Sequence, residues 1–237
     1  MPSRPLTRRL EETIIVNSAA MSHPAEDEKP MLLSINGQNP QMRLIRKSVD
    51  ILQNGGLVIY PTDTVYGLGC ALFNKKGIER IYEIKKRSKK QHFSFVCADL
   101  KDISRYAKVS DFAYKTMKRL LPGPYTFILE ASRLVPKIIL PKRHTTGIRV
   151  PDNAICLALV AELGQPIIST SVKNDKDEFL SDPREIEEKF RHRVELVIDG
   201  GILSPEPSTI ISLIDDQVEI IRMGKEGSAF YKNSNRT

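Results

Sequence analysis

"LVIYPTDTVYGLG", Leu57 to Gly69, carries an apolar run into a proline and then sets Thr62, Asp63, Thr64 and Tyr66 beside two glycines. The first half reads as a buried strand that closes at Pro61, because proline has no N–H to give to a ladder. The second half reads two ways. Exposed hydroxyls and glycines at a strand end offer donors, acceptors and close backbone approach to something small and polar. The same residues also suit a strand-to-helix turn with an Asx cap.

Outward from this stretch the chain alternates. Upstream, Leu44, Ile45, Val49, Ile51 and Leu52 recur at helical spacing and stop at Gly55 and Gly56. Downstream, "GIERIYEIKK" is a second helix with Ile78, Ile81, Tyr82 and Lys85 three or four apart. Strands are then expected in "HFSFVCA", "YTFILEA", "TTGIRVP", "PIISTSV", "VELVIDG", "STIISLI" and "VEIIRMG". Helices are expected in "DFAYKTMKRLL", "AICLALVAELG" and "DPREIEEKF". Helices interleaved with buried strands predict an α/β open sheet whose strand ends hold the site. Residues 1–30 mix charge, serine and proline without periodicity and read as a poorly ordered extension. Residues 31–226 read as the domain and 227–237 as a tail.

The bulk numbers narrow the function classes. With 237 residues, 41% of them hydrophobic, the chain can bury one sizeable core. Its net charge of +7 favours anionic partners, either polyanions or phosphate-bearing small molecules. Cys70, Cys97 and Cys156 form no CxxC pair, so a reducing cytoplasm fits better than an oxidising compartment. No apolar run reaches the roughly 20 residues that span a bilayer, so no membrane role is expected. The patterns of a P-loop and of a GxGxxG fingerprint are missing, and the four histidines lack metal-ligand spacing.

Several segments remain as candidate chemistry. "KKRSKK" places Lys85, Lys86, Arg87, Lys89 and Lys90 within six positions. One or two cations would complement a helix C-terminus; five also suit a nucleic-acid patch or a nucleotide phosphate site. Arg149 stands in a short strand, where a buried guanidinium requires an acidic neighbour or a bound anion. Ser169, Thr170 and Ser171 end an apolar strand. Ser208 and Thr209 begin another, and Arg222 precedes Gly224. Hydroxyls at several strand ends with three separate basic points describe a site for a small polar molecule and phosphates.

In order along the chain, "YPTDTVYGLG", "KKRSKK", "LLPGPYTFIL", "GIRVPDN", "STS", "PSTII" and "IRMG" together resemble the YrdC/YciO family, with "VCADLKDISRYAKVS" closest to the YciO branch. The resemblance covers about Met31 to Gly224. It implies a YrdC-like fold, a twisted open mixed sheet with helices packed on it in a single domain. It also implies a nucleotidyltransferase that makes threonylcarbamoyl-AMP and pyrophosphate from threonine, bicarbonate and ATP, with Mg2+, in tRNA threonylcarbamoyladenosine biosynthesis. By the same matching, Lys85 and Arg87 are the catalytic KxR pair, and Lys89, Thr145, Ser171 and Arg222 join them at ATP. Thr62, Arg149, Ser169 and Ser208 fall where the family holds threonine. The resemblance also leaves open a role as a double-stranded RNA-binding accessory protein without turnover. One departure stands out: where the synthase branch reads Ser-x-Asn and then a Leu-Ser-Gly turn, this chain has Ser171, Val172, Lys173 and "NDKDEF". Lysine only donates and adds a charge, so contact with the nucleotide changes there.

Overall fold

The computed structural model describes residues 30–85, 93–141 and 143–227. Its regular elements are β1 (Met31–Ser34), α1 (Met42–Gln53), β2 (Val58–Tyr60), β3 (Gly67–Ala71), α2 (Lys75–Ile84), β4 (Ser94–Val96), α3 (Leu100–Tyr106) and α4 (Asp111–Lys118). They continue with β5 (Tyr125–Glu130), β6 (Thr145–Arg149), α5 (Ala154–Leu163), β7 (Ile167–Ser171), α6 (Pro183–Lys189), β8 (Leu196–Asp199), β9 (Thr209–Ser212) and β10 (Glu219–Arg222). All ten strands join one mixed sheet in the order β1-β8-β2-β3-β7-β4-β6-β5-β9-β10.

The local signals explain most element ends. Asn74 accepts a hydrogen bond from the Gly77 N–H and caps α2, Ser110 does the same for Ala113 at α4, and Asn153 for Cys156 at α5. Gly164, at φ 69°, ends α5 in the left-handed region that favours glycine. The strand-to-helix reading of the opening stretch is corrected. After Pro61 the chain bends and returns as β3, antiparallel to β2 with Val58 opposite Gly69 and Tyr60 opposite Gly67, and α2 starts only at Lys75. The two glycines had marked a turn, yet they lie inside a strand whose every residue is buried. The short β1 and α3 had no counterpart in the sequence reading. β1 is a four-residue edge strand that pairs with β8 from far down the chain, which no local period can announce.

Each face of the sheet carries its own core. On one, Ile59, Leu68, Phe95, Phe127, Ile148, Ile168, Val197 and Ile211 pack with residues of α2, α3, α4 and α6. On the other, Val58, Tyr60, Ala71, Val96, Ile167, Leu196 and Ile198 pack with α1 and α5. Alternate strand residues serve opposite faces, which is why the strands read as nearly continuous apolar runs.

Candidate active site

The second face changes character partway along the strands. Register runs Gly69 to Ser169, Ser169 to Ser94, Ser94 to Gly147 and Gly147 to Ile128. Thr126 pairs with Ile210, and Ile210 with Arg222. Paired residues share a face, and so do residues two apart, so Ser171 and Arg149 join the same row. Where Ala71, Val96 and Ile167 are roofed by helices, this continuation carries small, hydroxyl and arginine side chains together with Ile128 and Ile210. All of the row but Gly69 lines a cleft of about 200 Å³ with Phe93, Thr170, Lys173, Phe179 and Ser208, and no residue of α1 or α5 contributes to its lining.

Arg149 is the most constrained group here. It is 7% exposed, and its Nη2 donates to Asp63 Oδ1 and to Thr64 Oγ1, each at 2.9 Å. Asp63 Oδ2 accepts from the Asp152 N–H, and Lys225 Nζ donates to the Asp63 carbonyl. A desolvated guanidinium beside a desolvated carboxylate is tolerable because both carry further hydrogen bonds. The acidic partner that the sequence required is therefore Asp63. Arg149 Nε is nevertheless buried without a protein partner among the described residues. A donor left in that state is a reason to look for an acceptor from outside the chain.

The loop that brings Asp63 to Arg149 is internally bonded. Thr62 Oγ1 donates to the Val65 carbonyl and accepts from the Thr64 N–H. Thr62, Thr64 and Tyr66 are buried and the Asp63 carboxylate nearly so, a correction to their expected exposure. Each side chain satisfies a turn or an ion pair instead of water. Tyr66 O–H donates to the Gly201 carbonyl, and burial pushes its pKa up to about 12. Nor do Gly67 and Gly69 admit a ligand. The Tyr60 ring lies across them: a Cβ on either would stand 3.1 Å from a Tyr60 ring carbon.

Of the residues singled out from sequence, Arg149, Ser169, Ser171, Ser208 and Arg222 meet in the cleft. Ser208 Oγ lies 2.8 Å from Thr126 Oγ1, and Arg222 Nη2 donates to the Ser208 carbonyl at 2.8 Å. Burial and the nearby Arg149 charge lower the Arg222 pKa, so two cations face one space. Lys85 Nζ donates to the Ser171 carbonyl at 2.6 Å and lines an adjoining cavity of about 270 Å³ with the cations Lys173, Lys189 and Arg193 and the carboxylates Asp175 and Asp177. Lys173 borders both spaces. Thr62 and Thr145 are not among the cleft's lining residues. Thr145 stands on the Arg149 face of β6, beyond Gly147. Arg87 and Lys89 lie outside the described residues, as do Lys86 and Lys90.

At the departure from the synthase pattern the chain folds its own hairpin. Lys173 pairs with Phe179 in an isolated bridge, and its Nζ sits 2.7 Å from Asp177 and 4.7 Å from the Phe179 ring centroid. Asn174 Oδ1 accepts from the Lys176 and Glu178 N–H groups, so that side chain holds the turn. Sequence reasoning passed over Ser94, Thr126 and Gly147. Their only signal is small or hydroxyl residues at every second strand position, which needs the register before it points anywhere. Cys70 and Cys156 are core thiols; burial pushes Cys70 up to about 12 and Cys156 higher, so neither is a nucleophile at neutral pH.

The family described as "Telomere recombination", Sua5/YciO/YrdC, matches residues 50–224. The chain belongs to the Sua5/YciO/YrdC family. It is 43% identical to Escherichia coli YciO over 192 residues, covering 80% of this chain and 93% of that protein. The YciO crystal structure superposes with a TM-score of 0.79, covering 83% of this chain and 96% of the other. A Chromobacterium violaceum protein named threonylcarbamoyl-AMP synthase is 33% identical over 181 residues, or 76% of this chain and 93% of that one. P. abyssi Sua5, solved with L-threonine, gives a TM-score of 0.77 at 28% identity, over 82% of this chain and 57% of its own. The mixed sheet with packed helices is thus that of the Sua5/YciO/YrdC family. No helix among the described residues is long and apolar enough to cross a membrane.

Proposed function

We propose that the cleft is a threonylcarbamoyl-AMP synthase site, joining threonine, bicarbonate and ATP and releasing pyrophosphate. The observation that carries this reading is the Arg149 guanidinium, buried against Asp63 with its Nε unpartnered, beside the hydroxyls of Ser169 and Ser208. A guanidinium fork suits an amino-acid carboxylate, and a related chain of the same fold was solved with L-threonine. Arg149, Ser169 and Ser208 would hold threonine. Thr62, whose hydroxyl is committed inside its loop, would act by fixing Thr64 and Asp63 behind Arg149.

Bicarbonate loses water to give carbon dioxide, the neutral threonine amine takes this up as a carbamate and releases a proton, and a carbamate oxygen attacks the α-phosphorus of ATP, breaking the bond to pyrophosphate. Two anions must meet, so the site's work is to hold both in attack geometry amid fixed positive charge. Lys85, with Arg87 and Lys89 next in sequence, would neutralise the triphosphate, and Thr145, Ser171 and Arg222 would hold the rest of the nucleotide. Lys173, paired with Asp177, stands between the two spaces. No group of three acidic, histidine or cysteine side chains that could hold a metal ion lies among the described residues, so magnesium would be held chiefly by the ATP phosphates.

Pyrophosphate release with ATP and bicarbonate, scanned across amino acids, tests the reading: threonine-dependent release is expected. Lys85→Ala should lower turnover at least about tenfold with little change in unfolding free energy. Silence with every amine favours a second reading, which the net charge of +7 supports: an RNA-binding accessory protein without turnover. Backbone binding of double-stranded RNA then weakens steeply with salt, roughly in proportion to the phosphates contacted.

A further inference from the structure

Tyr60 is fully buried, and its O–H donates to Ser169 Oγ at 2.7 Å, reaching from β2 over β3 to β7. That reach requires the glycines between them. A Cβ on Gly67 would stand 2.9 Å from Ser169 Oγ and 3.1 Å from the Tyr60 ring, and one on Gly69 would meet Tyr60 Cε1 at 3.1 Å. Gly67 therefore serves a contact between two side chains on strands that are not neighbours, while Gly69 clears Ile167 Cγ2 and the Ile168 carbonyl first and the Tyr60 ring besides. The contact spans the boundary between the covered core and the cleft, since Tyr60 packs with Ile198 and Ala71 while Ser169 lines the open space.

A serine hydroxyl has one proton and two lone pairs. With Tyr60 donating to one lone pair, the Ser169 proton cannot also lie on that bond. We infer that Tyr60 is a positioning residue that holds Ser169 as a directed donor, its proton turned away from Tyr60 and available to an acceptor oxygen of the ligand, carboxylate or carbamate. Burial raises the Tyr60 pKa far above neutrality, so the phenol remains a donor throughout the working range. Arg149 lies on the same face one strand beyond β4, and two donors converging on one oxygen-rich group are consistent with its chemistry.

The inference rests on the threonine reading of the cleft for the ligand but not for the geometry, and the test separates them. Tyr60→Phe keeps the ring over the glycines and removes only the donor; Ser169→Ala removes the same bond from the other end. Crystal structures of the wild type and Tyr60→Phe should show Ser169 Oγ fixed in the first and in a new or divided rotamer in the second. An unmoved Oγ overturns the positioning role whatever the ligand. In binding titrations, Tyr60→Phe should weaken threonine up to about tenfold, leave ATP unchanged, and add nothing to Ser169→Ala. Full additivity, or equal losses for threonine and ATP, overturns it. A wild type that binds no threonine rejects the functional reading, while the rotamer comparison still decides the role of Tyr60.

Discussion

The two ends of one sheet face behave as different materials. Around Val58, Ala71, Val96 and Ile167 the face is apolar and roofed by α1 and α5; two residues further along β4 and β7 it carries Ser94 and Ser169, which with Gly147 and Arg149 of β6 line the cleft. Backbone pairing is continuous across the change. The difference lies in side-chain size and polarity: large branched residues draw a helix onto the sheet, whereas small hydroxyl residues offer too little apolar area to hold one. A binding site can thus be made on a rigid sheet by leaving part of a face uncovered. Ser169 and Arg149 then inherit the precision of a ladder on each side.

The strongest way to break this contrast is at its polar end. Arg149→Met leaves the Asp63 carboxylate buried without its charge partner and should cost about 3–5 kcal/mol in urea unfolding, part of it restored by adding Asp63→Asn. A loss under about 1 kcal/mol would mean that the pair behaves as a solvated one. Gly69→Ala comes next, because its Cβ would lie 2.5 Å from Ile167 Cγ2 and 2.7 Å from the Ile168 carbonyl. A cost of about 1–3 kcal/mol is expected, read as a lower thermal midpoint. Gly147→Ala sharpens the comparison with the smallest stability effect. Its Cβ would meet nothing closer than Thr126 Cγ2 at 3.3 Å, so stability should stay within about 0.5 kcal/mol while threonine-dependent turnover falls as the cleft narrows. Equal destabilisation by the two alanines would erase the distinction between a packed and an open half.

Much of the fold was legible because α1 carries a strong helical period, α5 is a long apolar run closed by the caps Asn153 and Gly164, and the strands are short apolar runs. The hairpin at Tyr60 to Gly69 was not, since glycine signals a turn until a neighbouring aromatic ring is known to occupy its missing side chain. Arg149, Ser169, Ser171, Ser208 and Arg222 were named from strand-end chemistry and family resemblance, and they share the cleft. Asp63 as the partner of Arg149 and Tyr60 as the partner of Ser169 lie 86 and 109 positions away in the chain. Local pattern carries no such distances.

What the amino-acid order determined by itself was the alternation of helices and strands, the excess of positive charge, and the hydroxyl and arginine residues grouped at strand ends. What only the tertiary structure decided was the strand order, and through it which face each of those residues occupies and which donors remain unpaired. The reason is physical: side-chain period and capping act within a few residues, whereas register is settled by burial summed over partners from the whole chain.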